Sequence, residues 1–301
     1  MEKLTIHTAT YNRAYILKNA YDSLRKQTCK DFEWIITDDG SEDNTESLVN
    51  EWINDDTNGF KIVYNKLSHV GIPRALNSGV NLSHTDWFMM LDSDDYLKPN
   101  TVELALQWLE EIKDKPNFAG IGFARCFPNG EFMKNQTPKI DSNLGYVDAT
   151  HTDRKLYNLN MDMCEVHRVS VLKQYPFQFW ENESYAPEQL NFYQMALDGF
   201  LLRWRAEKLY ICDYLPDGQT KDDHLVKNNP MGFAMMYNQN ILLSKSLKEK
   251  CINVIRMTAL ATYAGHLSYI KDCNNRLLAV LTLPAGLALA LRRNIQYKKL
   301  K

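Results

Sequence analysis

The chain has 301 residues, of which 45% are hydrophobic and 24% are charged. This composition is typical of a globular protein and excludes a disordered chain or a fibrous repeat. The 35 Lys and Arg residues nearly balance the 37 Asp and Glu residues, which leaves a formal net charge of −2. General binding to nucleic acid needs an excess of cations to neutralise phosphates, so we expect no nucleic-acid partner.

The six cysteines are scattered along the chain, and no two of them have the CxxC spacing of a zinc ribbon or a thioredoxin-like site. We expect them to be reduced and buried. The strand-like run Leu4-Thr5-Ile6 begins almost at once, without the long apolar core of a signal peptide. The sequence therefore predicts a cytoplasmic location.

Strand-like and helix-like segments alternate in the first half of the chain. The predicted strands, rich in Ile, Val, Phe, Trp or Met, are Lys3–Thr8, Glu33–Thr37, Lys61–Tyr64, Trp87–Leu91 and Phe118–Ala124. Apolar residues at helical spacing predict helices over Ala14–Lys26, Thr45–Ile53 and Pro99–Ile112. Alternation of this kind is typical of an α/β fold, in which helices cover both faces of a parallel sheet.

The pattern weakens from about Gly130 to Tyr185, where the sequence is polar and rich in turn residues. A helix over Pro187–Leu197 and two strands over Phe200–Arg205 and Leu209–Tyr214 are predicted next. From Asn229 onwards the sequence is helical in character. We therefore predict one domain over residues 1–228 and a helical C-terminal region over residues 229–301.

The end of the chain combines an apolar segment with a basic tail. Leu277–Leu291 is fifteen residues long and carries no charge, and five Lys or Arg residues follow it. A membrane-spanning helix needs about 20 apolar residues, and Pro284 interrupts this segment. Two interpretations stay open: a helix packed on the core with a solvated tail, or a helix resting on the anionic inner face of a membrane.

The run Asp92-Ser93-Asp94-Asp95 follows a predicted apolar strand directly. Three carboxylates this close together repel one another unless a cation neutralises them. Mg²⁺ and Mn²⁺ prefer oxygen ligands and often use one or two carboxylates together with substrate phosphates. The alternative is a solvated acidic turn without a ligand. An EF-hand is excluded because Leu97 stands where that loop requires glycine.

A second acidic turn, Asp38-Asp39-Gly40-Ser41, follows the second predicted strand. Ligands of open α/β sheets bind at the carboxyl ends of the strands, where both acidic turns would lie. An ordinary strand-to-helix turn is the simpler interpretation of this motif. The glycine motifs of a dinucleotide-binding Rossmann fold and of a P-loop are both missing from the sequence.

Four segments occur in the order of a known family, and they are Thr10-Tyr11-Asn12-Arg13, Asp38-Asp39-Gly40-Ser41, Gly71-Ile72-Pro73-Arg74-Ala75-Leu76-Asn77-Ser78-Gly79 and Leu91-Asp92-Ser93-Asp94-Asp95. Together they closely resemble family 2 glycosyltransferases, over roughly residues 3–215. The resemblance implies a GT-A fold, which is Rossmann-like with a mostly parallel central sheet. It also implies inverting sugar transfer from a nucleotide-diphospho-sugar donor, a UDP-sugar being the commonest case.

The resemblance assigns roles to residues of these segments. Tyr11 and Asp39 would hold the nucleotide base, Asp92 would lie near the ribose, and Arg74 would contact a phosphate. Asp94 and Asp95 would coordinate Mn²⁺ or Mg²⁺. The remaining expected nucleotide-binding residues are Thr10, Arg13, Asp38 and Ser93.

The family usually places an acidic pair before a helix, with an Asp as catalytic base. The matching positions here are Pro187 and Glu188, so a single Glu takes the place of the pair. We expect Glu188 to be the base, although an acid in the first turn of a helix is also favoured by the helix dipole. Glu181 and Glu183 are reserve candidates.

The polar segment Asp217-Gly218-Gln219-Thr220, with His224 after it, matches only loosely the loop that closes the donor site in such enzymes. His224 is a weak candidate for a metal ligand, and an ordinary surface role is the alternative. The expected acceptor is a hydroxyl of a glycan or of a lipid-linked glycan, as in envelope polysaccharide assembly.

Two other functions stay open. A sugar nucleotidyltransferase of related fold would release pyrophosphate, but the glycine-rich basic loop expected near its N-terminus is missing from Thr8–Arg13. A non-catalytic protein that binds nucleotide-sugars or glycans would bind the donor without turnover.

Overall fold

The computed structural model describes residues 2–133, 137–212 and 224–299. Two units divide the chain between them. The first unit comprises Met1–Pro176 and Gln194–Leu215, and the second comprises Phe177–Tyr193 and Pro216–Lys301. The domain boundary predicted after residue 228 stays a prediction.

The first unit contains a nine-stranded sheet. Its strands are β1 Leu4–Thr10, β2 Phe32–Asp38, β3 Lys61–Lys66, β4 Trp87–Met90, β5 Tyr96–Leu97, β6 Phe118–Cys126, β7 Val147–Ala149, β8 Met163–Arg168 and β9 Leu201–Ile211. Their order is β3-β2-β1-β4-β8-β6-β9-β5, with β7 paired to β9. Strands β3, β2, β1 and β4 pair in parallel, and so do β6 and β9. Strand β8 is antiparallel to both β4 and β6, so β4 and β6 run in the same direction. Most of the described strands therefore share one direction.

Helices connect the strands and continue to the end of the described chain. They are α1 Ala14–Arg25, α2 Thr45–Ile53, α3 Ile72–Leu82, α4 Thr101–Glu110, α5 Val169–Gln174, α6 Gln189–Leu197, α7 Leu225–Asn228, α8 Pro230–Leu243, α9 Leu247–Tyr263, α10 Arg276–Leu281 and α11 Leu283–Tyr297. Two short 3₁₀ helices lie at Arg154–Tyr157 and Leu267–Asp272. Within the described part of the chain, no helix is long and apolar enough to span a membrane.

Both faces of the sheet are covered, as predicted. On one face Ile6 of β1 and Trp34 of β2 belong to the same hydrophobic cluster as Leu17 of α1. On the other face α3 approaches β1 so closely that a Cβ on Gly79 would lie 2.2 Å from Cδ2 of His7. Because helices cover both faces, almost every residue of β1 and β2 is buried, whichever face its side chain is on.

The structure corrects two predictions about the strands. One continuous strand, β9, covers the segment where two were predicted, and its Arg203 pairs with Asp148 and Glu111 at 2.9 Å each. In addition, β8 lies in the stretch where no strand was predicted, because its Glu165 and His167 interrupt the apolar pattern. Glu165 is buried in the sheet, and its Oε1 lies 3.0 Å from Nη1 of Arg154, which supplies the countercharge.

Candidate active site

Three loops leave the same edge of the sheet. Strands β2, β1 and β4 are adjacent and parallel, with Thr10 beside Asp38 and His7 beside Met90. The carboxyl ends of parallel strands meet at one edge, where open α/β sheets bind their ligands. The sheet therefore brings together the segments that begin at Tyr11, at Asp39 and at Asp92.

Asp38 is fully buried and holds the turn that follows β2. Its Oδ1 accepts a hydrogen bond of 2.7 Å from the backbone N–H of Ser41, and its Oδ2 accepts one from the hydroxyl of Tyr64. Gly40 in this turn has φ +86°, and a Cβ there would lie 2.9 Å from the backbone nitrogen of His69. The turn thus requires glycine. Contact between Asp38 and a nucleotide stays a prediction.

Asp39 joins this turn to the loop before α3. Its Oδ1 accepts a hydrogen bond of 2.6 Å from the N–H of Val70, and its Oδ2 accepts one of 2.9 Å from the N–H of Gly71. The residue is 6% exposed. A carboxylate has about four acceptor positions, so Asp39 can still accept a further N–H from a ligand.

An aromatic surface lies next to Asp39. The ring of Tyr11 is 42% exposed, and its centroid lies 4.3 Å from that of the His69 ring. The Nδ1 of His69 lies 3.1 Å from the carbonyl oxygen of Asp39. Rings exposed beside a carboxylate can stack on a planar base whose N–H the carboxylate accepts. Sequence reasoning did not select His69, because a single His before a glycine is not specific.

The other predicted residues of these loops occupy the same edge. The side chain of Thr10 is buried, Arg13 donates a hydrogen bond of 2.8 Å to the hydroxyl of Tyr15, and Arg74 donates one of 2.9 Å to the carbonyl of Val70. Arg74 lies in the first turn of α3. Their contacts with a nucleotide stay predictions.

The acidic turn after β4 is paired with an arginine from another strand, which the sequence analysis missed. Nη1 of Arg125, on β6, lies 2.7 Å from Oδ2 of Asp92 and 3.7 Å from Oδ2 of Asp95. The guanidinium also lies over the ring of Tyr210, 4.2 Å from its centroid. The hydroxyl of Tyr210 accepts a hydrogen bond of 2.8 Å from the N–H of Asp92. Arg125 therefore supplies part of the positive charge that three neighbouring carboxylates require.

The acids of this turn differ in burial and in pKa. Desolvation by itself would raise the pKa of Asp92, but the charge of Arg125 together with side-chain hydrogen bonds to Arg125, Tyr210 and Asp95 holds that pKa below its ordinary value. Asp95 is 6% exposed, and burial together with the negative charge of Asp92 raises its pKa to about 7. The thiol of Cys212 lies 3.2 Å from Oδ2 of Asp95. Ser93 and Asp94 are half-buried between them.

The donor set of the turn suits a hard divalent cation. In the described ranges 2–133, 137–212 and 224–299, no three His, Cys, Asp or Glu side chains converge as a complete metal site. Mg²⁺ and Mn²⁺ do not require a complete protein cage, because one or two carboxylates and substrate phosphates suffice. Asp94 and Asp95 provide two such carboxylates at the ligand-binding edge of the sheet.

Glu188 and His224 belong to the second unit. Glu188 is half-buried directly before α6, and its carbonyl accepts hydrogen bonds from the N–H groups of Asn191 at 3.0 Å and Phe192 at 3.3 Å. Burial and the nearby charge of Glu188 raise the pKa of Tyr185 to about 12. His224 directly precedes α7. The predicted loop residues Asp217, Gly218, Gln219 and Thr220 lie outside the described residues.

Glu183, one of the reserve candidates for the base, has a structural position. Its two carboxylate oxygens accept hydrogen bonds of 2.7 Å from the N–H groups of Met231 and Gly232 at the start of α8. Both oxygens are thus engaged in holding a helix terminus, which favours negative charge. The other reserve candidate, Glu181, is exposed.

Removal of the Arg125 guanidinium should destabilise the protein. We expect Arg125→Gln to lower the free energy of unfolding by about 2–4 kcal/mol, because the exposed carboxylate of Asp92 and the buried carboxylate of Asp95 both lose their countercharge. Urea denaturation measures this change. Arg25→Gln is the control, since Arg25 forms an exposed pair with Asp55 at 3.6 Å, and such pairs contribute at most about 1 kcal/mol. Equal effects of the two substitutions would contradict the role given to Arg125.

Comparison with solved structures identifies the fold. The chain superimposes on TarS 1–349 of S. aureus, solved in complex with UDP-GlcNAc, with a TM-score of 0.64 and 16% identity over 95% of this chain and 79% of that one. It also matches the mannosyltransferase PcManGT from Pyrobaculum calidifontis, solved with GDP-Man and Mn²⁺, with a TM-score of 0.53 and 15% identity over 96% and 80% of the two chains. The fold is that of the GT-A glycosyltransferases.

The sequence comparisons then place the chain in a family. Residues 5–194 match the model of Glycosyl transferase family 2, and the chain belongs to this family. It is 25% identical over 267 residues to the GalNAc(5)-diNAcBac-PP-undecaprenol beta-1,3-glucosyltransferase of Campylobacter jejuni, covering 86% of this chain and 82% of that protein. It is 36% identical over 112 residues to the chondroitin synthase of Pasteurella multocida, covering 37% of this chain and only 11% of the synthase. The chain is a glycosyltransferase, and the predicted family and fold class are confirmed.

Proposed function

We propose that this glycosyltransferase transfers a sugar from a nucleotide-diphospho-sugar, in the first instance a UDP-sugar, to a hydroxyl of a glycan or lipid-linked acceptor. One observation carries the proposal. The carboxylate of Asp39, the ring of Tyr11 and the carboxylates of Asp92–Asp95 follow the three consecutive strands β2, β1 and β4 at the same edge of the sheet. In the proposal, Asp39 and Tyr11 form a base-binding surface, and the acidic turn beside them binds the diphosphate of the same ligand.

The residues of the first unit bind and orient the donor. Asp39 accepts the ring N–H of the base while Tyr11 stacks on its face, and Asp92 lies near the ribose. Arg74 pairs with a phosphate oxygen. Asp94 and Asp95 would hold the divalent cation, and a Mn²⁺ or Mg²⁺ ion bound there would stabilise the negative charge that develops on the leaving diphosphate.

Glu188 is assigned the proton transfer because, in the sequence, Pro187-Glu188 matches the acidic pair from which the family's catalytic base comes. Its carboxylate takes the proton from the acceptor hydroxyl as that oxygen bonds to the anomeric carbon. The bond from this carbon to the diphosphate breaks, and the nucleoside diphosphate leaves with the electron pair. A single displacement of this kind inverts the configuration at the anomeric carbon.

The names of two relatives support a glycan or lipid-linked glycan as the acceptor. The name of the Campylobacter jejuni enzyme includes an undecaprenol-linked glycan, and the Pasteurella multocida relative is a polysaccharide synthase. Both favour an acceptor that belongs to a lipid-linked or polymeric glycan. Envelope polysaccharide assembly on the cytoplasmic side of a membrane is the setting we propose.

The test is a donor screen. Purified protein is incubated with UDP-sugars and GDP-sugars, Mn²⁺ and a set of lipid-linked and free glycan acceptors, and mass spectrometry records the products. We expect release of a nucleoside diphosphate together with a glycosylated acceptor. A second incubation contains nucleoside triphosphates and sugar phosphates, and release of pyrophosphate there would instead support a nucleotidyltransferase. Donor binding without turnover on any acceptor would favour a binding protein.

A further inference from the structure

A stripe of large apolar side chains is exposed on α10 and α11 of the second unit. The exposed fractions are 70% for Leu277, 68% for Val280, 66% for Leu281, 67% for Leu291 and 62% for Ile295. Isolated exposed leucines are ordinary, whereas a contiguous exposed apolar surface marks an interaction site.

The stripe follows the helical repeat. Residues 277, 281, 284, 288, 291 and 295 are separated alternately by four and three positions and are all exposed. Such spacing places them on one side of an α-helix. The helical hydrogen bonds continue through the junction between α10 and α11, since the N–H of Thr282 donates to Leu278 at 2.9 Å and that of Gly286 donates to Thr282 at 3.0 Å. The exposed side chains therefore form one surface.

The opposite side of the same helices packs on α9, and most of its buried residues are small. The buried residues are Leu278, Ala279, Gly286, Ala290 and Tyr297. A Cβ on Gly286 would lie 2.5 Å from Cγ2 of Thr258, so α11 lies very close to α9 at this point. A helix that serves only to fill a core turns its large side chains inwards. In α11 the small residues Gly286 and Ala290 face the core, whereas Leu291 and Ile295 face outwards.

Charge selects the partner of this surface. Residues 273–301 contain no Asp or Glu, but they contain the six basic residues Arg276, Arg292, Arg293, Lys298, Lys299 and Lys301. Arg292, Lys298 and Lys299 are exposed beside the end of the stripe. Two copies of this segment would repel each other because each is strongly cationic. An anionic lipid surface both accepts apolar side chains and attracts the basic ones.

We propose that α10 and α11 form a docking surface for an anionic phospholipid membrane, with the stripe inserted among the lipids and the basic residues on the headgroups. One side of both helices is buried against the rest of the second unit and only the other side is exposed, so the helices lie along the interface with the exposed side towards the lipid. The proposal goes beyond the transfer reaction and does not depend on it, because docking is measured without donor or acceptor.

The experiment is co-sedimentation of the full chain with vesicles. One set consists of phosphatidylcholine alone, and the other is phosphatidylcholine mixed with phosphatidylglycerol. The test variants are Leu281→Ser with Leu291→Ser and Ile295→Ser, and separately Arg292→Gln with Lys298→Gln and Lys299→Gln. The matched controls are Leu247→Ser, at a leucine that is 67% exposed on α9, and Lys245→Gln with Lys248→Gln, at two exposed lysines.

We expect the wild type to bind the anionic vesicles at least about tenfold more tightly than the neutral ones. Each test variant should bind at least about tenfold more weakly than the wild type, while both controls bind as the wild type does. Circular dichroism melting shows that the variants are folded, which is expected because every substituted residue is exposed.

Three results would overturn the proposal. They are equal binding to both kinds of vesicle, loss of binding in the controls as well as in the test variants, and no binding by the wild type. If the stripe variants instead dissociate an oligomer in light scattering, the surface joins copies of the chain. Release of nucleoside diphosphate from the donor, measured without vesicles or detergent, reports on the transfer reaction separately from all of these outcomes.

Discussion

Replacement of both Asp94 and Asp95 by Asn should reduce Mn²⁺-dependent binding of UDP by on the order of 100-fold or more. The amide keeps the size of each side chain but removes the charge that holds the cation, and metal stabilisation of this kind is worth several kcal/mol. Isothermal titration calorimetry with UDP, in the presence and absence of Mn²⁺, measures the effect. The control is Asp114→Asn, which changes an exposed acid of the same unit.

The double variant should remain folded. Asp95 is buried beside the charge of Asp92, which raises its pKa to about 7, so that neutralising Asp95 removes a repulsion. The same raised pKa predicts that Mn²⁺ binding by the wild type strengthens as the pH rises through about 7, because a proton then no longer competes for the carboxylate. Undiminished Mn²⁺-dependent binding in the folded double variant would refute the assignment of the metal site.

Replacement of Glu188 by Gln should lower the turnover of sugar transfer by about 10²–10⁴-fold, because a positioned base contributes a factor of that size. Binding of the donor should be unchanged, since the substitution removes only the proton acceptor. Initial rates of nucleoside diphosphate release, combined with donor titration, separate the two effects.

The matched control for this variant is Glu181→Gln, at an exposed glutamate seven positions earlier in the chain. Glu183 is unsuitable as a control because its carboxylate holds the N-terminus of α8. Turnover at the wild-type rate in the Glu188→Gln variant would remove Glu188 from the reaction. An equal loss in the Glu181→Gln variant would do the same.

Strands β2, β4 and β6 could be predicted because they are buried and rich in apolar residues. β2 is buried along its whole length and includes Trp34, Ile35 and Ile36. β8 could not be predicted, because Glu165 and His167 lie in it and the countercharges of Glu165 come from residues outside the strand. Glu165, for example, lies 3.1 Å from Nε2 of His151 and 3.0 Å from Nη1 of Arg154. Local patterns do not report such long-range pairing.

The same limit applies to the candidate site. Its acids were found because three carboxylates after a strand are conspicuous in the sequence. Arg125 and Tyr210 were missed, since they meet Asp92 from positions 33 and 118 residues further along the chain. An arginine at the end of an apolar strand is a weak signal until the partner strand is known. The sheet pairing supplies that information.

The salt bridges of Arg125 bear on how the enzyme prepares for its donor. A fixed guanidinium 2.7 Å from Asp92 lets the acidic turn form without any metal, so that folding does not wait for a cofactor. The loop is then preorganised, and little of the free energy of donor association is spent on ordering it. Chelation of the divalent cation should consequently abolish sugar transfer without unfolding the protein. Small domains whose structural zinc supplies the energy of folding behave differently, because they unfold when the metal is removed.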